Sequence, residues 1–276
     1  MIIDSHQHFW NKDELSYAWL TPELGVLYRN YLPEELYPQV KRNGVEKTVV
    51  VQAAACDAET DYLLKLAGEN DFIGGIVGWV DLLDEYLDKR LEELSKNVKF
   101  KGVRHQIEDE PDREWMLRPT VLNNLKVIER IGLAFDALLK QDQLWQLEKV
   151  FEAAPELRVV IDHCAKPDIA AGAFDKWAGY IRRAAKLPVC CKLSGLMTEA
   201  DIKSGRQTVE DIRRYSDCVL EAFGEDRVMF GSDWPVSAMA MSYDESVRAV
   251  EQLLNGCTAE QIDKIMYANA KRFYRL

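Results

Sequence analysis

The chain has 276 residues, of which 47% are hydrophobic and 29% are charged, and its formal net charge is −11. This size and composition fit one soluble domain of enzyme size, and no apolar run is long enough to cross a membrane. The negative charge disfavours nucleic acid and anionic membranes as partners, because both are bound through clustered lysine and arginine.

Short apolar and β-branched runs recur eight times along the chain, and amphipathic stretches separate most of them. The predicted strands cover residues 1–6, 47–52, 72–80, 98–104, 132–139, 157–163, 187–194 and 226–233. The stretches 58–70, 86–97 and 142–154 predict helices between strands. This alternation predicts a single (β/α)8 TIM barrel over residues 1–276, a fold of about 250 residues. The alternative, an open doubly wound sheet, lacks its glycine-rich fingerprint after the first strand.

Two segments stand apart from this alternation. Residues 7–46 form a long loop after strand one, and aromatic residues crowd its early part. Long loops at the carboxyl ends of barrel strands commonly cover the active site, so we expect a lid here; the alternative is a surface insertion. Thr258, followed by Glu260 and Gln261, predicts the start of a closing helix over residues 258–274.

The six cysteines are scattered and form no CxxC pair. Reduced, buried thiols are therefore expected, and they fit a cytoplasmic protein. Asp4 interrupts the first apolar run after Ile3, so we expect no secretion signal. Cys164 follows His163 directly, but neighbours on a strand face opposite sides, which disfavours a thiol nucleophile. The chain also lacks the G-x-S-x-G motif of serine hydrolases.

Polar side chains gather at the predicted strand ends. In a barrel the carboxyl ends of the strands surround the active site. All four histidines of the chain fall at such ends. The polar and aromatic residues at these positions are His6, His8, Gln52, Trp79, Asp81, Arg104, His105, Asp136, His163 and Asp233. They predict one pocket at the carboxyl end of the barrel.

The alternation of side chains along a strand predicts which residues face this pocket. His6 and His8 lie two positions apart and therefore point the same way, with Asp4 below them. By the same rule, His163 shares a face with Ile161.

Arg104 and His105 are neighbours and cannot both face inward. An inward His105 would carry Lys101 into the barrel interior, so we expect Arg104 to face the pocket and give His105 less weight. On the last strand, Asp233 shares a face with Gly231, whose missing side chain leaves room.

The H-x-H pair on strand one, the histidine on strand six and the aspartate on strand eight resemble the amidohydrolase superfamily. The segments that carry the resemblance span nearly the whole chain: DSHQHFW, VVVQAA, GWVDL, KGVRHQ, DHCAKPDI, CCKLSG and MFGSDWPV. In this order they resemble the amidohydrolase 2 branch, which includes sugar lactonases of the L-fuconolactonase and L-rhamnonolactonase type and the pyrone-dicarboxylate lactonase. The resemblance implies a hydrolase that opens a lactone ring. Alternatives are a metal-dependent decarboxylase, a dicarboxylate lactone hydrolase and a non-catalytic sugar-binding barrel.

The chain departs from the dinuclear members of the superfamily, which use Lys or Glu at the end of strand four and His on strand five. Strand four here ends in Arg104 and His105, and strand five offers Asp136. A bridged metal pair is therefore not expected. His6, His8 and Asp233 remain as candidate ligands of one Zn²⁺ with an open position. The resemblance implies that some relatives act without metal, so we expect a weak site and no strict requirement for a cofactor.

Opening a lactone requires a base for the attacking water and donors for the developing oxyanion. We assign Asp233 as the base. The groups expected to polarise the carbonyl are His6, His8, His163 and Arg104.

The substrate contacts are expected from aromatic rings and polar groups, because sugars stack on flat rings and bind through their hydroxyls. The candidates are Trp10, Gln52, Trp79, Asp81, His105 and Lys166. Arg104 is the one cationic fork at a strand end, with Lys166 and Lys192 as weaker cations, which favours a neutral sugar-acid lactone over a dicarboxylate. We expect a small-molecule sugar lactone as partner and a monomer or homodimer.

Overall fold

The computed structural model describes residues 1–276, and eight parallel strands form one sheet in chain order. The strands are β1 Ile2–Gln7, β2 Val45–Val51, β3 Ile73–Gly78, β4 Phe100–His105, β5 Ala134–Ala137, β6 Arg158–Ile161, β7 Cys190–Leu193 and β8 Val228–Phe230. The chain after β8 returns to β1, because the Asp233 amide donates to the His6 carbonyl at 2.8 Å and the His8 amide donates to the Trp234 carbonyl at 2.7 Å. The sheet thus closes into a barrel, and the predicted (β/α)8 fold is confirmed.

A helix follows each strand and packs on the outside of the barrel. The helices are α1 Pro33–Arg42, α2 Asp57–Glu69, α3 Leu87–Ser95, α4 Pro119–Ile131, α5 Gln146–Ala153, α6 Phe174–Ala184, α7 Val209–Phe223 and α8 Tyr243–Leu253. Each presents one apolar stripe to the sheet; in α3 the buried residues Leu87, Leu91 and Leu94 recur at the helical spacing. None of the helices combines the length and the apolar composition that crossing a bilayer requires.

The closing helix forms as predicted. The Thr258 hydroxyl caps it by accepting from the Gln261 amide at 3.2 Å. It runs through α9 Ala259–Asp263, a π-helical turn at Lys264–Ala268 and α10 Asn269–Tyr274. Its aromatic residues pack with the apolar side chains that fill the barrel interior. Arg158, the first residue of β6, donates to the Phe273 carbonyl, so this helix covers the amino ends of the strands, opposite the predicted pocket.

The long loop after β1 is held by its aromatic residues. Trp10 and Tyr31 pair through two backbone hydrogen bonds of 3.0 and 2.9 Å, and the Trp10 indole donates to the Arg29 carbonyl at 2.7 Å. The Trp19 indole donates to the Ala53 carbonyl at 2.7 Å. These bonds fold the loop across the carboxyl ends of the strands, where it forms part of the cavity wall described below.

Candidate active site

A cavity of about 320 Å³ opens at the carboxyl end of the barrel, on the side where the predicted polar residues meet. Six of the predicted site residues line it: His8, Trp10, Arg104, His163, Lys166 and Asp233. His6 is fully buried and contacts Asp233 and His8. Side chains from several strands and from the long loop therefore converge on one space.

Asp233 stands at the centre of three histidines. Its Oδ1 lies 3.3 Å from Nε2 of His8 and 3.8 Å from Nε2 of both His6 and His163. Nε2 of His6 lies 3.1 Å from Nε2 of His8. One carboxylate oxygen thus faces three imidazole nitrogens at the floor of the cavity.

The turn after β8 positions Asp233. Its backbone is left-handed, with φ of 57°, and its amide donates to the His6 carbonyl. Gly231 leaves the space for the neighbouring ring, because a Cβ at this position would lie 2.7 Å from Cβ of His6. The expectation that Gly231 leaves room is correct, although the room serves His6.

The end of β6 differs from the prediction. The strand ends at Ile161, and residues 163–166 all have positive φ, between 49° and 56°. The expected alignment of His163 with Ile161 is therefore wrong, because Ile161 packs in the outer core and the left-handed turn redirects His163 into the cavity. Such conformations cost about 1–2 kcal/mol per residue. Contacts that offset this cost include a 2.9 Å bond between Nδ1 of His163 and Oγ of Ser194 and a 2.7 Å bond from the Trp177 indole to the Cys164 carbonyl.

Gly195, which follows Ser194 after β7, also makes room for His163. Its φ is 69°, and a Cβ there would lie 2.8 Å from Cβ of His163. Glycine therefore suits this position for two reasons: it adopts the left-handed backbone conformation readily, and it has no Cβ to clash with the His163 ring.

Asp4 does not lie below the histidines as predicted. The register of β1 shifts between Asp4 and Gln7, which breaks the simple alternation. The Asp4 carboxylate instead accepts from the Ser232 amide at 2.9 Å, the Ser232 hydroxyl at 2.6 Å and the Tyr243 hydroxyl of α8 at 3.2 Å. Burial raises the pKa of Asp4 to about 6 despite these donors. The residue ties β1 to the turn after β8.

Arg104 faces the cavity, and His105 does not line it. The Arg104 guanidinium donates to Oε1 of Gln52 at 2.9 Å and to the Gln52 carbonyl. His105 stacks on Trp115 with ring centroids 4.0 Å apart, and its Nε2 lies 2.6 Å from Oε1 of Glu110. The structure thus resolves the choice between these neighbours in favour of Arg104.

Four predicted substrate contacts do not line the cavity: Gln52, Trp79, Asp81 and His105. β3 ends at Gly78, earlier than predicted, so the following residues leave the barrel. Asp81 is exposed and caps a turn by accepting from the Leu83 amide at 2.9 Å. Gln52 acts on the site through Arg104, which it holds in place.

The charge states of the central residues follow from their burial and their neighbours. Burial lowers the pKa of His6 well below its ordinary value and also lowers that of His163, so both rings are neutral at neutral pH. Burial alone would raise the pKa of Asp233, but His163, His8 and His6 outweigh it and lower that pKa. Asp233 is therefore ionised, which gives the cavity floor a carboxylate surrounded by polar rings.

A family model for amidohydrolases matches residues 3–276. The chain belongs to the amidohydrolase family. A relative from Burkholderia ambifaria, named L-fucono-1,5-lactonase, is 38% identical over 239 residues, which cover 86% of this chain and 81% of the relative. One of the same name from Burkholderia multivorans is 38% identical over 260 residues, covering 91% and 87%. A crystal structure of a Burkholderia multivorans amidohydrolase with bound zinc matches with a TM-score of 0.95 and 36% identity, covering 100% of this chain and 99% of that one.

This amidohydrolase has side chains that fit one metal ion. His6, His163 and Asp233 each offer a ligand atom within 4.8 Å of the others. The set predicted from the sequence contains His8 instead of His163, and Nε2 of His8 is also within 3.3 Å of Asp233 and 3.1 Å of His6. Imidazole and carboxylate ligands of this kind suit Zn²⁺ with one open position. The residues therefore fit the ion by type and spacing.

Sequence reasoning missed three carboxylates in the wall of this amidohydrolase's cavity, Glu108, Asp109 and Glu199. Lys166 donates to Oε1 of Glu108 at 2.6 Å, so its charge is paired. Burial raises the pKa of Glu199 to about 7. All three lie beyond the strand ends, in the segments that follow β4 and β7, where the strand-end rule gives no signal. Trp19, a further missed residue, lies in the aromatic loop that was expected to cover the site.

A buried charge network beneath the cavity was also missed. Nζ of Lys192 lies 2.5 Å from Oδ2 of Asp136 and 3.0 Å from Oδ1 of Asp162. Burial raises the pKa of Asp136 to about 6, whereas Lys192 and His6 outweigh burial at Asp162 and hold its pKa well below the ordinary value. Asp162 lies two positions after Val160, whose side chain faces the barrel interior. Had the end of β6 been predicted correctly, this spacing would have predicted that Asp162 also faces inward.

Proposed function

We propose that this amidohydrolase hydrolyses a sugar-acid lactone, such as L-fucono-1,5-lactone or an L-rhamnonolactone. The observation that carries the proposal is the ionised Asp233 among three imidazoles at the floor of a cavity. The relatives named L-fucono-1,5-lactonase, at 38% identity, support the substrate class. Trp19, which is half-buried in the cavity wall, offers a flat apolar face on which a sugar ring can stack, and the fully buried Trp10 supports it through an edge-on ring contact.

In the proposed reaction Asp233 takes a proton from water, and the water oxygen forms a bond to the lactone carbonyl carbon. Arg104 and Nε2 of His163 donate to the developing oxyanion; the Ser194 hydroxyl can donate to Nδ1 of His163 and so leave the proton on Nε2. The ring C–O bond then breaks, and Asp233 returns its proton to the leaving alkoxide. The product is an open-chain hydroxy acid, which ionises and releases one proton to solution.

The acid–base groups supply this chemistry without a strict need for metal, because a lactone is an activated ester with a modest barrier to hydrolysis. A zinc ion, when bound by His6, His163 and Asp233, would polarise the carbonyl and acidify its bound water. We propose that the protein works with or without that ion. Without it, His6 faces Asp233 and orients the carboxylate, and His8 holds the His6 ring.

The wall charges disfavour a carboxylate-rich substrate. Lys166 is paired with Glu108, and Arg104 is already bonded to Gln52 and lies 3.4 Å from Asp162. The cavity also carries acidic side chains in its wall. A dicarboxylate lactone or an aromatic acid bound for decarboxylation needs a free cation for each extra carboxylate; Lys166 is paired, and in the proposed reaction the oxyanion takes the donor that Arg104 still offers.

The test is a pH-indicator assay over a panel of neutral sugar lactones and one dicarboxylate lactone, with carbon dioxide measured in parallel. We expect proton release with neutral lactones of the fucose and rhamnose series. Carbon dioxide release from an aromatic acid, or turnover of the dicarboxylate alone, would contradict the proposal.

A further inference from the structure

Two clusters of buried ligand-type side chains share His6. One contains His6, His163 and Asp233, and the other contains His6, Asp136 and Asp162. The ammonium of Lys192 lies inside the second cluster, 2.5 Å from Asp136, 3.0 Å from Asp162 and 2.9 Å from Nδ1 of His6. Lys192 has no exposed surface. A built-in cation therefore occupies the position that a second metal ion could take.

The contacts around this ammonium fix the positions of the ring protons. An ammonium only donates, so Nδ1 of His6 accepts and the His6 proton lies on Nε2. That proton faces Nε2 of His8 at 3.1 Å, which accepts it. Nδ1 of His8 lies 2.7 Å from the Val51 carbonyl, which only accepts, so the His8 proton lies on Nδ1. One proton arrangement satisfies all three contacts, and in it the N–H groups nearest the Asp233 carboxylate are those of His6 and His163, since Nε2 of His8, at 3.3 Å, carries no proton.

The opposite tautomer of His6 relies on longer contacts. A proton on Nδ1 would face Asp162 at 3.4 Å, and Nε2 would accept from Arg104 at 3.4 Å. It would also set the ring N–H against the Lys192 ammonium at 2.9 Å, where two donors meet. The 2.7, 2.9 and 3.1 Å contacts thus favour the proton on Nε2, because hydrogen bonds weaken with distance.

We infer that Lys192 is a positioning residue that holds His6 in the Nε2–H tautomer and thereby weakens zinc binding at the cavity floor. A bond from Nε2 to zinc needs the lone pair that this proton occupies. Zinc binding must move the proton to Nδ1, against the ammonium. Outer partners of metal ligands commonly change metal affinity by about 10–100-fold, and here the partner opposes the ion, so its removal raises the affinity.

The first test compares zinc affinity in the wild type, Lys192→Met and Lys99→Met by competition with a chromophoric chelator. Lys99 is a partly buried lysine outside the cavity that donates to the Ala67 carbonyl. We expect Lys192→Met to bind zinc about tenfold more tightly or better, and Lys99→Met to match the wild type. Equal or weaker zinc binding by a folded Lys192→Met protein would overturn the inference.

The second test needs no variant, which matters because Lys192→Met leaves Asp136 and Asp162 without their cation. Nitrogen-15 NMR of the four histidines in the zinc-free wild type reports each tautomer directly. We expect the proton on Nε2 of His6 and on Nδ1 of His8, and a shift of His6 toward Nδ1–H in folded Lys192→Met. A His6 proton on Nδ1 in the wild type would refute the inference. Neither test uses turnover, so lactone hydrolysis can succeed or fail independently.

Discussion

Nε2 of His8 lies 3.3 Å from Oδ1 of Asp233, so an imidazole and a carboxylate that is ionised at neutral pH lie side by side at the floor of the cavity. The two residues come from opposite ends of the chain, at the first strand and after the last. The backbone bonds that close the barrel bring them together. Barrel closure and assembly of the site are therefore the same structural event.

Asp233→Asn should leave the fold intact and remove the base. The amide keeps the size and one acceptor oxygen, but it does not accept a proton at neutral pH. We expect kcat to fall by about 10² or more, the usual contribution of general base catalysis. Steady-state kinetics on the substrate lactone measures this, with the thermal midpoint as the folding control. Near-normal turnover would remove Asp233 from the base role.

Asp4→Asn should act mainly on stability, in contrast to Asp233→Asn. Asp4 accepts from Ser232 and Tyr243 and has no surface in the cavity. An amide in its place turns one acceptor into a donor toward these hydroxyls, which costs about 1–3 kcal/mol where a buried group is left unpaired. Denaturant unfolding should show a lower free energy of unfolding, with kcat reduced much less than in Asp233→Asn. A large loss of kcat at unchanged stability would contradict this.

Gly195→Ala should displace the His163 ring. The new Cβ would lie 2.8 Å from Cβ of His163, in a backbone with φ of 69°. Misplacing a catalytic group by about 1 Å can cost on the order of 10² in rate. Gly205→Ala is the matched control, since its φ is 75° and nothing lies within 4 Å of the added atom. Both variants should lose stability, but we expect kcat to fall by more than about tenfold only in Gly195→Ala. Equal kcat in the two variants would show that the close approach is tolerated.

Glu199 should give the enzyme a pH dependence near neutrality. Burial raises its pKa to about 7, so the carboxyl is protonated below that pH and can donate to a substrate oxygen. As the pH rises through 7 the donor is lost, and kcat/KM should fall. Glu199→Gln keeps an N–H donor at every pH, so we expect its profile to flatten above 7 after subtraction of uncatalysed lactone hydrolysis. If kcat/KM of Glu199→Gln still falls above pH 7 as in the wild type, another group causes that fall.

The barrel and the gathering of its histidines could be predicted because both follow from local patterns. The eight strands appear as apolar runs, and the strand-end rule alone brings His6, His8, His163 and Asp233 to one edge. The missing side chain at Gly231 was a usable signal for close packing. These features depend on residue type and spacing, which the sequence displays.

The departures have identifiable physical causes. The left-handed turn at residues 163–166 contains no glycine, so nothing in its residue types announces it. The register shift after Asp4 breaks the alternation that placed this residue in the interior. Trp79 was assigned to the pocket because β3 was predicted two residues too long. Lys192 was treated as a weak substrate contact, because only the fold shows its enclosure between two carboxylates.

The most direct test of the proposed chemistry is lactone turnover by metal-stripped protein, with metal content measured on the same sample. We predict that hydrolysis of the neutral sugar lactone survives exhaustive chelation, because Asp233, His163 and Arg104 supply the base and the oxyanion donors. Added zinc should not be needed to restore it. Activity that vanishes on chelation and returns with one equivalent of zinc would contradict the proposal. The main role of His6, His163 and Asp233 would then be to bind the metal.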